Sequence, residues 1–204
     1  MSKPFSIEKP VLLLGEGREE ELFFFALVKH LKLADSIQVI AYKGKDKLAK
    51  FLADLRTQTD FPKLRAIGIT RDADNDPAAA RASTRSAIQS ARFQDTLRVE
   101  TFILPKENAE GALEALVLEA VKDTPAWPCV EAFSKCVEEK AGVSFSVTGH
   151  DKHHVQAWLS TLPSPDLRFL GLAAQKGHIS FDHPAFQPVI DFIQSLVSAS
   201  DSPS

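Results

Sequence analysis

At 204 residues, 44% hydrophobic and 25% charged, the chain has the make-up of an ordinary soluble globular protein with an ample core, either one large domain or one domain with an appended lobe. A formal net charge of -3 with a pI near 6.1 excludes bulk attraction as a route to nucleic acid, so any such binding depends on a local patch. No run approaches the ~20 apolar residues of a membrane span, and Met1-Ser-Lys-Pro-Phe-Ser6 lacks the apolar stretch of a secretory signal, which sets the expectation of a cytoplasmic protein with no membrane partner.

In chain order, residues 10–15 form an apolar run broken at Gly15, and residues 22–33 are apolar enough for a well-buried helix. Residues 36–42 read as a second strand. Asp46 to Arg56 then carry Leu48, Phe51, Leu52 and Leu55 at helical spacing. Residues 64–70 give a third strand, and Pro77 suits the first turn of a helix reaching about Ala91, where its missing N–H costs nothing. Residues 98–104 give a fourth strand. Strands alternating with helices of this length predict βαβ crossovers and a mainly parallel four-stranded sheet with helices on both faces, an α/β fold. Beyond Pro105 the pattern turns helical over 110–122, 128–141, 151–161 and 184–198, with Pro-containing breaks between. This predicts an α/β core over 1–105, a helical extension packed on it over 106–198, and a disordered polar tail at 199–204.

In an open parallel sheet, ligands bind beyond the carboxyl ends of the strands, and two acidic clusters occupy that place. Glu16 follows the first strand, and Asp72 and Asp74 follow the third. Carboxylates held close raise one another's pKa unless a cation lies between them. Mg²⁺ or Mn²⁺ suits such a set, because hard cations take oxygen ligands and Mg²⁺ commonly uses one or two carboxylates beside water and phosphate. In extended backbone Asp72 and Asp74 point the same way. Gly15 and Gly17 leave room for a sharp turn beside Glu16. The plainer alternative is that Asp74, Asn75 or Asp76 merely caps the helix at Pro77, while Glu19, Glu20 and Glu21 are favoured by the dipole of the helix they open.

An apolar strand ending in Glu16-Gly17 with Glu20 four residues on, followed after one βα unit by a strand ending in Asp72-Ala73-Asp74, resembles the TOPRIM domain of bacterial primases, topoisomerases and OLD nucleases. The likeness covers roughly residues 10–105. Lys43-Gly-Lys-Asp-Lys47, Arg71 to Pro77, Phe102-Ile-Leu-Pro105 and Ala174-Gln-Lys-Gly177 through Phe181-Asp-His-Pro184 extend it to stand-alone bacterial TOPRIM-like proteins of undescribed activity. The resemblance implies a TOPRIM/Rossmann-like core and Mg²⁺- or Mn²⁺-dependent phosphoryl transfer on nucleic acid, with Glu16, Asp72 and Asp74 in the reaction and Glu16, Glu20, Asp72, Asp74 and Glu114 at the metal. The chain departs from the larger enzymes. It has no primase zinc segment and no topoisomerase tyrosine module, and Gly15-Glu-Gly-Arg lacks a P-loop ending. A separately encoded ATPase or other protein partner, and a homodimer, stay open.

Lys43, Lys45 and Arg71 are the expected contacts to a DNA or RNA phosphate, with Lys47, Arg81 and Arg85 further basic residues nearby in sequence. Lys176, in a polar break between apolar segments, is expected to return to the site as a catalytic cation. His150, His153 and His154 lack the further ligands of a zinc site and are read as polar residues around a helix start; His183 is read as a turn residue. Cys129 and Cys136 are expected to be reduced core residues. Two functions follow: a metal-dependent nuclease or related phosphoryl transferase, and a catalytically silent TOPRIM-like subunit that binds metal or nucleotide in a bacterial defence or repair complex.

Overall fold

The structure, a computed structural model, describes residues 6–143 and 146–198; the tail expected at 199–204 lies outside them. The first half runs β1 (Val11–Gly15), α1 (Arg18–His30), β2 (Ile37–Ala41), α2 (Leu48–Arg56), β3 (Ala66–Asp72), α3 (Pro77–Ala91) and β4 (Arg98–Leu104). The four strands form one parallel sheet in the order β2-β1-β3-β4. In register, Gly15 lies beside Ala41 and Asp72 beside Leu104, so the strand ends line up along one edge.

Alternation along the strands divides the core in two. Leu12, Leu14, Ile67 and Ile69 meet Leu48, Leu52 and Leu55 of α2 and Ala87 and Ala91 of α3 on one face. Val11 and Leu13 turn to the other, against Phe23, Phe24 and Leu27 of α1. Each of these leucines is buried, which contributes roughly 1.5–3 kcal/mol per side chain.

The second half is helical: α4 (Leu113–Val121), α5 (Trp127–Ala141), α6 (Val147–Leu159), α7 (Leu170–Gln175) and α8 (Gln187–Ser198). Its apolar side chains join the same cluster as Val11 and Leu13, with Val189, Ile193 and Leu196 of α8 among them. At α7 the approach to α1 is close. A Cβ on Gly171 would stand 2.5 Å from Leu22 Cβ and 2.8 Å from the Glu19 carbonyl oxygen, so only glycine lets the two helices meet there.

Several local expectations change. α1 begins at Arg18 rather than 22, because the acidic first turn of Glu19, Glu20 and Glu21 suits the positive end of its dipole. α6 begins at Val147, with the Ser146 side chain accepting from the Gly149 N–H at 3.2 Å. His150, His153 and His154 therefore lie within the helix, and His154 is buried. Cys129 and Cys136 are exposed, not core. Seven residues apart, they share one side of α5, and α5 buries only the stripe of Trp127, Val130 and Ser134.

Candidate functional site

The chain leaves β1 for β2 on one side and comes back to β3 on the other. The carboxyl ends of β1 and β3 thus flank the switch point where an open α/β sheet forms its crevice. Glu16 follows β1 directly and Asp72 is the last residue of β3. Two helix starts face the same corner. Glu20, in the first turn of α1, accepts from the Gly17 N–H at 2.7 Å through Oε2. Asp72 Oδ1 accepts from the Leu113 N–H at 3.2 Å, at the head of α4, where Glu114 occupies the first turn.

These acids share one field. The Asp72 carboxyl is pushed up to about 8, first by burial and then by the charges of Glu20, Glu114, Glu16 and Asp74. Glu16 is raised by burial, against the pull of Arg71, with Asp74 and Glu20 adding to the rise. Glu20 is raised by burial, opposed by the Gly17 N–H and reinforced by Glu114 and Glu19. Glu114, placed at the metal by the resemblance alone, is therefore a neighbour of both Asp72 and Glu20.

Arg71 is 7% exposed. It donates from Nη1 to Glu16 Oε2 at 3.1 Å, and its buried Nε has no partner among the described residues. Beneath it lies Tyr42, whose hydroxyl donates to the Thr70 carbonyl at 3.2 Å. Burial and the nearby Glu16 hold that phenol protonated.

Asp74 reaches the corner by another route than expected. Its φ of 51° is left-handed, so the chain is no longer extended there and the alternation of side chains stops. The cause is a pair of backbone hydrogen bonds with Gly111, from Asp74 N–H at 2.8 Å and from Gly111 N–H at 2.7 Å. The Asp74 carboxylate meets Lys45 Nζ at 3.3 Å, both side chains half exposed. Capping of α3 falls to Asp76 alone of the three candidates, accepting from the Ala79 N–H at 2.8 Å, so the plainer reading of the Asp-rich loop accounts for Asp76 and leaves Asp72 and Asp74 to the corner.

The donors are carboxylate oxygens, the chemistry suited to Mg²⁺ or Mn²⁺. Among the described residues no three His, Cys, Asp or Glu side chains are gathered to hold a metal ion unaided. Four of the five acids have their own donor instead: Arg71 for Glu16, Gly17 for Glu20, Leu113 for Asp72 and Lys45 for Asp74. Mg²⁺ needs only one or two protein carboxylates, with water and substrate phosphate in its other positions, so the set fits a cation in that mode.

The family model described as "Protein of unknown function (DUF3226)" matches residues 10–198. The chain belongs to the DUF3226 family. No curated protein matches it. Among solved structures, the C-terminal region of the Xanthomonas campestris pv. campestris OLD protein is similar at 13% identity and a TM-score of 0.47, over 94% of this chain and 97% of that one.

Around the corner of this DUF3226 protein the expected cations divide. Lys43 and Lys45 are exposed on the loop after β2, which is anchored by a hydrogen bond from the Gly44 N–H to the Glu16 carbonyl at 2.9 Å. Lys176 does not return to the acids. It ends α7 beside Lys29 and His30, nine to ten positions beyond Glu20, roughly 15 Å along the helix axis. His183 holds a turn as expected, its ring nitrogens 3.2 Å from the Ala185 N–H and 3.1 Å from Asp123 Oδ2. Two contributors were not anticipated. The Leu113 N–H was signalled only by Gly111-Ala112 ahead of an apolar helix, and the Glu19 carboxylate, expected only as dipole charge, accepts from the Gly171 N–H at 2.8 Å.

Proposed function

We propose that this DUF3226 protein is a Mg²⁺- or Mn²⁺-dependent nuclease, or a related phosphoryl transferase, acting on nucleic acid. The observation that carries the reading is Asp72, pushed up to about 8 by burial and four neighbouring carboxylates. Carboxylates brought near one another raise each other's pKa, a cation relieves that repulsion, and perturbed carboxylates in a cleft mark functional sites. The likeness of Glu16-Gly17, Glu20 and Asp72-Ala73-Asp74 to TOPRIM motifs supports the same chemistry.

In this reading Asp72 and Asp74, with Glu16, Glu20 and Glu114 around them, hold the cation, which would screen phosphate charge and activate water. Arg71 keeps the Glu16 carboxylate oriented, and Lys43 and Lys45 offer ammonium groups to the phosphodiester at the open side of the corner.

A second reading has its own observation. Arg71 and Lys45 already neutralise Glu16 and Asp74, as in a subunit that keeps the fold without turnover. Titration calorimetry with Mg²⁺ and Mn²⁺, run beside cleavage assays on DNA and RNA, separates the two. Binding with cleavage supports the nuclease; metal binding without cleavage of any substrate supports the silent subunit; the absence of both binding and cleavage overturns the metal-dependent form of both readings.

A further inference from the structure

Outside the acidic corner, a groove of about 450 Å³ opens between the later half of α1 and the end of α7. Phe25, Lys29 and His30 line one side, Lys176 the other, and Ile179 and Phe181 contribute apolar surface. Phe25 is 42% exposed, although its neighbours Phe23 and Phe24 are fully buried. Lys29 Nζ stands 5.7 Å from the Phe25 ring centroid. The His30 ring lies 3.2 Å from Asp182 through Nε2. Lys29 and Lys176 have no carboxylate partner among the described residues.

A part-exposed aromatic ring with one ammonium over it and a second across the groove is a pairing suited to single-stranded nucleic acid: a base stacks on the ring while the flanking phosphates meet the cations. A purely apolar partner would leave both lysines desolvated and unpaired, at a cost. Duplex DNA keeps its bases stacked inside and could use the lysines but not Phe25. The groove also lies on the helix that begins at the acidic corner. Lys29 is nine positions beyond Glu20, roughly 14 Å at ~1.5 Å per residue, or about four nucleotides of a strand stacked at ~3.4 Å each.

We infer that the Phe25–Lys29–Lys176 groove is a single-strand-binding subsite that holds nucleic acid a few nucleotides from the acidic corner. The inference rests on the reading of that corner as acting on nucleic acid, and it gives Lys176 a place that the corner does not.

The test is fluorescence anisotropy with a labelled oligothymidylate of about ten nucleotides, within the ~4–16 nucleotides of known single-strand sites, in EDTA so that no metal contributes. Phe25→Ala is expected to weaken binding roughly tenfold. The double variant Lys29→Ala/Lys176→Ala is expected to weaken it at least as much and to lower the salt dependence of affinity by about 0.7 for each phosphate no longer neutralised. Lys50→Ala, whose lysine pairs with Asp54 on α2, should bind as wild type does, and melting temperatures establish that each variant is folded. Unchanged affinity in both groove variants, no binding by the wild-type protein, or equal binding of duplex overturns the inference. Its failure is separable from that of the proposed activity. Normal binding by groove variants while Asp72→Asn abolishes cutting removes the subsite alone. Weakened binding in groove variants while Asp72→Asn cuts normally removes the catalytic reading alone.

Discussion

Arg71 Nη1 stands 3.1 Å from Glu16 Oε2, joining the end of β3 to the residue that follows β1. The pair is unequal in exposure, 8% for the arginine side chain and 22% for the glutamate. Removing one partner from a buried pair leaves the other uncompensated. Arg71→Ala should therefore destabilise the fold by about 3 kcal/mol in urea denaturation, and Arg71→Lys should recover only part of it, lacking the planar fork. Lys45→Ala breaks a half-exposed pair and should cost no more than about 0.5 kcal/mol. Equal losses in the two variants would contradict this ranking.

The Asp72 carboxyl gives the metal-free protein an unusual pH dependence. Its pKa is about 8 in the folded chain against an ordinary 3.8, so between those values the native state keeps a proton that the unfolded state has lost. Stability then falls as pH rises through that window, and Glu16 and Glu20, also raised, act in the same direction. Thermal melts in EDTA should show a decline from about pH 5 to about pH 8, up to about 1.4 kcal/mol per pH unit for each group that titrates. Asp72→Asn should flatten it, and millimolar Mg²⁺ should raise the melting temperature more at the alkaline end. Stability rising across this range would contradict the crowding of the acids.

Glu114 should matter less than Asp72 but more than its neighbours on α4. Titration calorimetry with Mn²⁺ is expected to show weaker binding in Glu114→Gln and no change in Glu119→Gln, whose glutamate pairs with Lys122 at the surface. An identical response in both variants would place Glu114 outside the site.

Gly171→Ala tests the seating of α7 on α1. The added methyl would meet Leu22 Cβ at 2.5 Å and the Glu19 carbonyl oxygen at 2.8 Å, which also displaces the hydrogen bond from the Gly171 N–H to Glu19. A loss of about 1–3 kcal/mol is expected in denaturant melts. Wild-type stability would show that α7 shifts freely.

Strands β1 and β3 were legible because each is an apolar run closed by a glycine or an acid, and the alternation of Leu12 and Leu14 with Val11 and Leu13 marks burial on both faces. Helix α3 was legible to the residue because Pro77 and the Asp76 cap leave little freedom at its start. Helix α7 was not, since Leu170-Gly-Leu-Ala-Ala-Gln175 is too short to show a period and owes its helix to packing on Leu22 and Phe23. The position of Lys176 was lost with it. Asp72 and Glu16 could be placed by strand-end reasoning, but Asp74 departs from alternation because Gly111, 37 positions later in the sequence, captures its backbone. Such a long-range pairing leaves no local mark. The cysteines show the converse error: apolar character alone predicts burial, whereas the side of α5 that carries them faces solvent.

The most direct measurement is cleavage of single-stranded and duplex DNA and of RNA by the full chain with Mn²⁺ or Mg²⁺, beside EDTA and beside Asp72→Asn. The expected result is divalent-dependent cleavage of at least one of these polymers, abolished by EDTA and lowered on the order of a hundredfold or more by the substitution. Cleavage that survives both EDTA and Asp72→Asn would contradict the role assigned to the acidic corner.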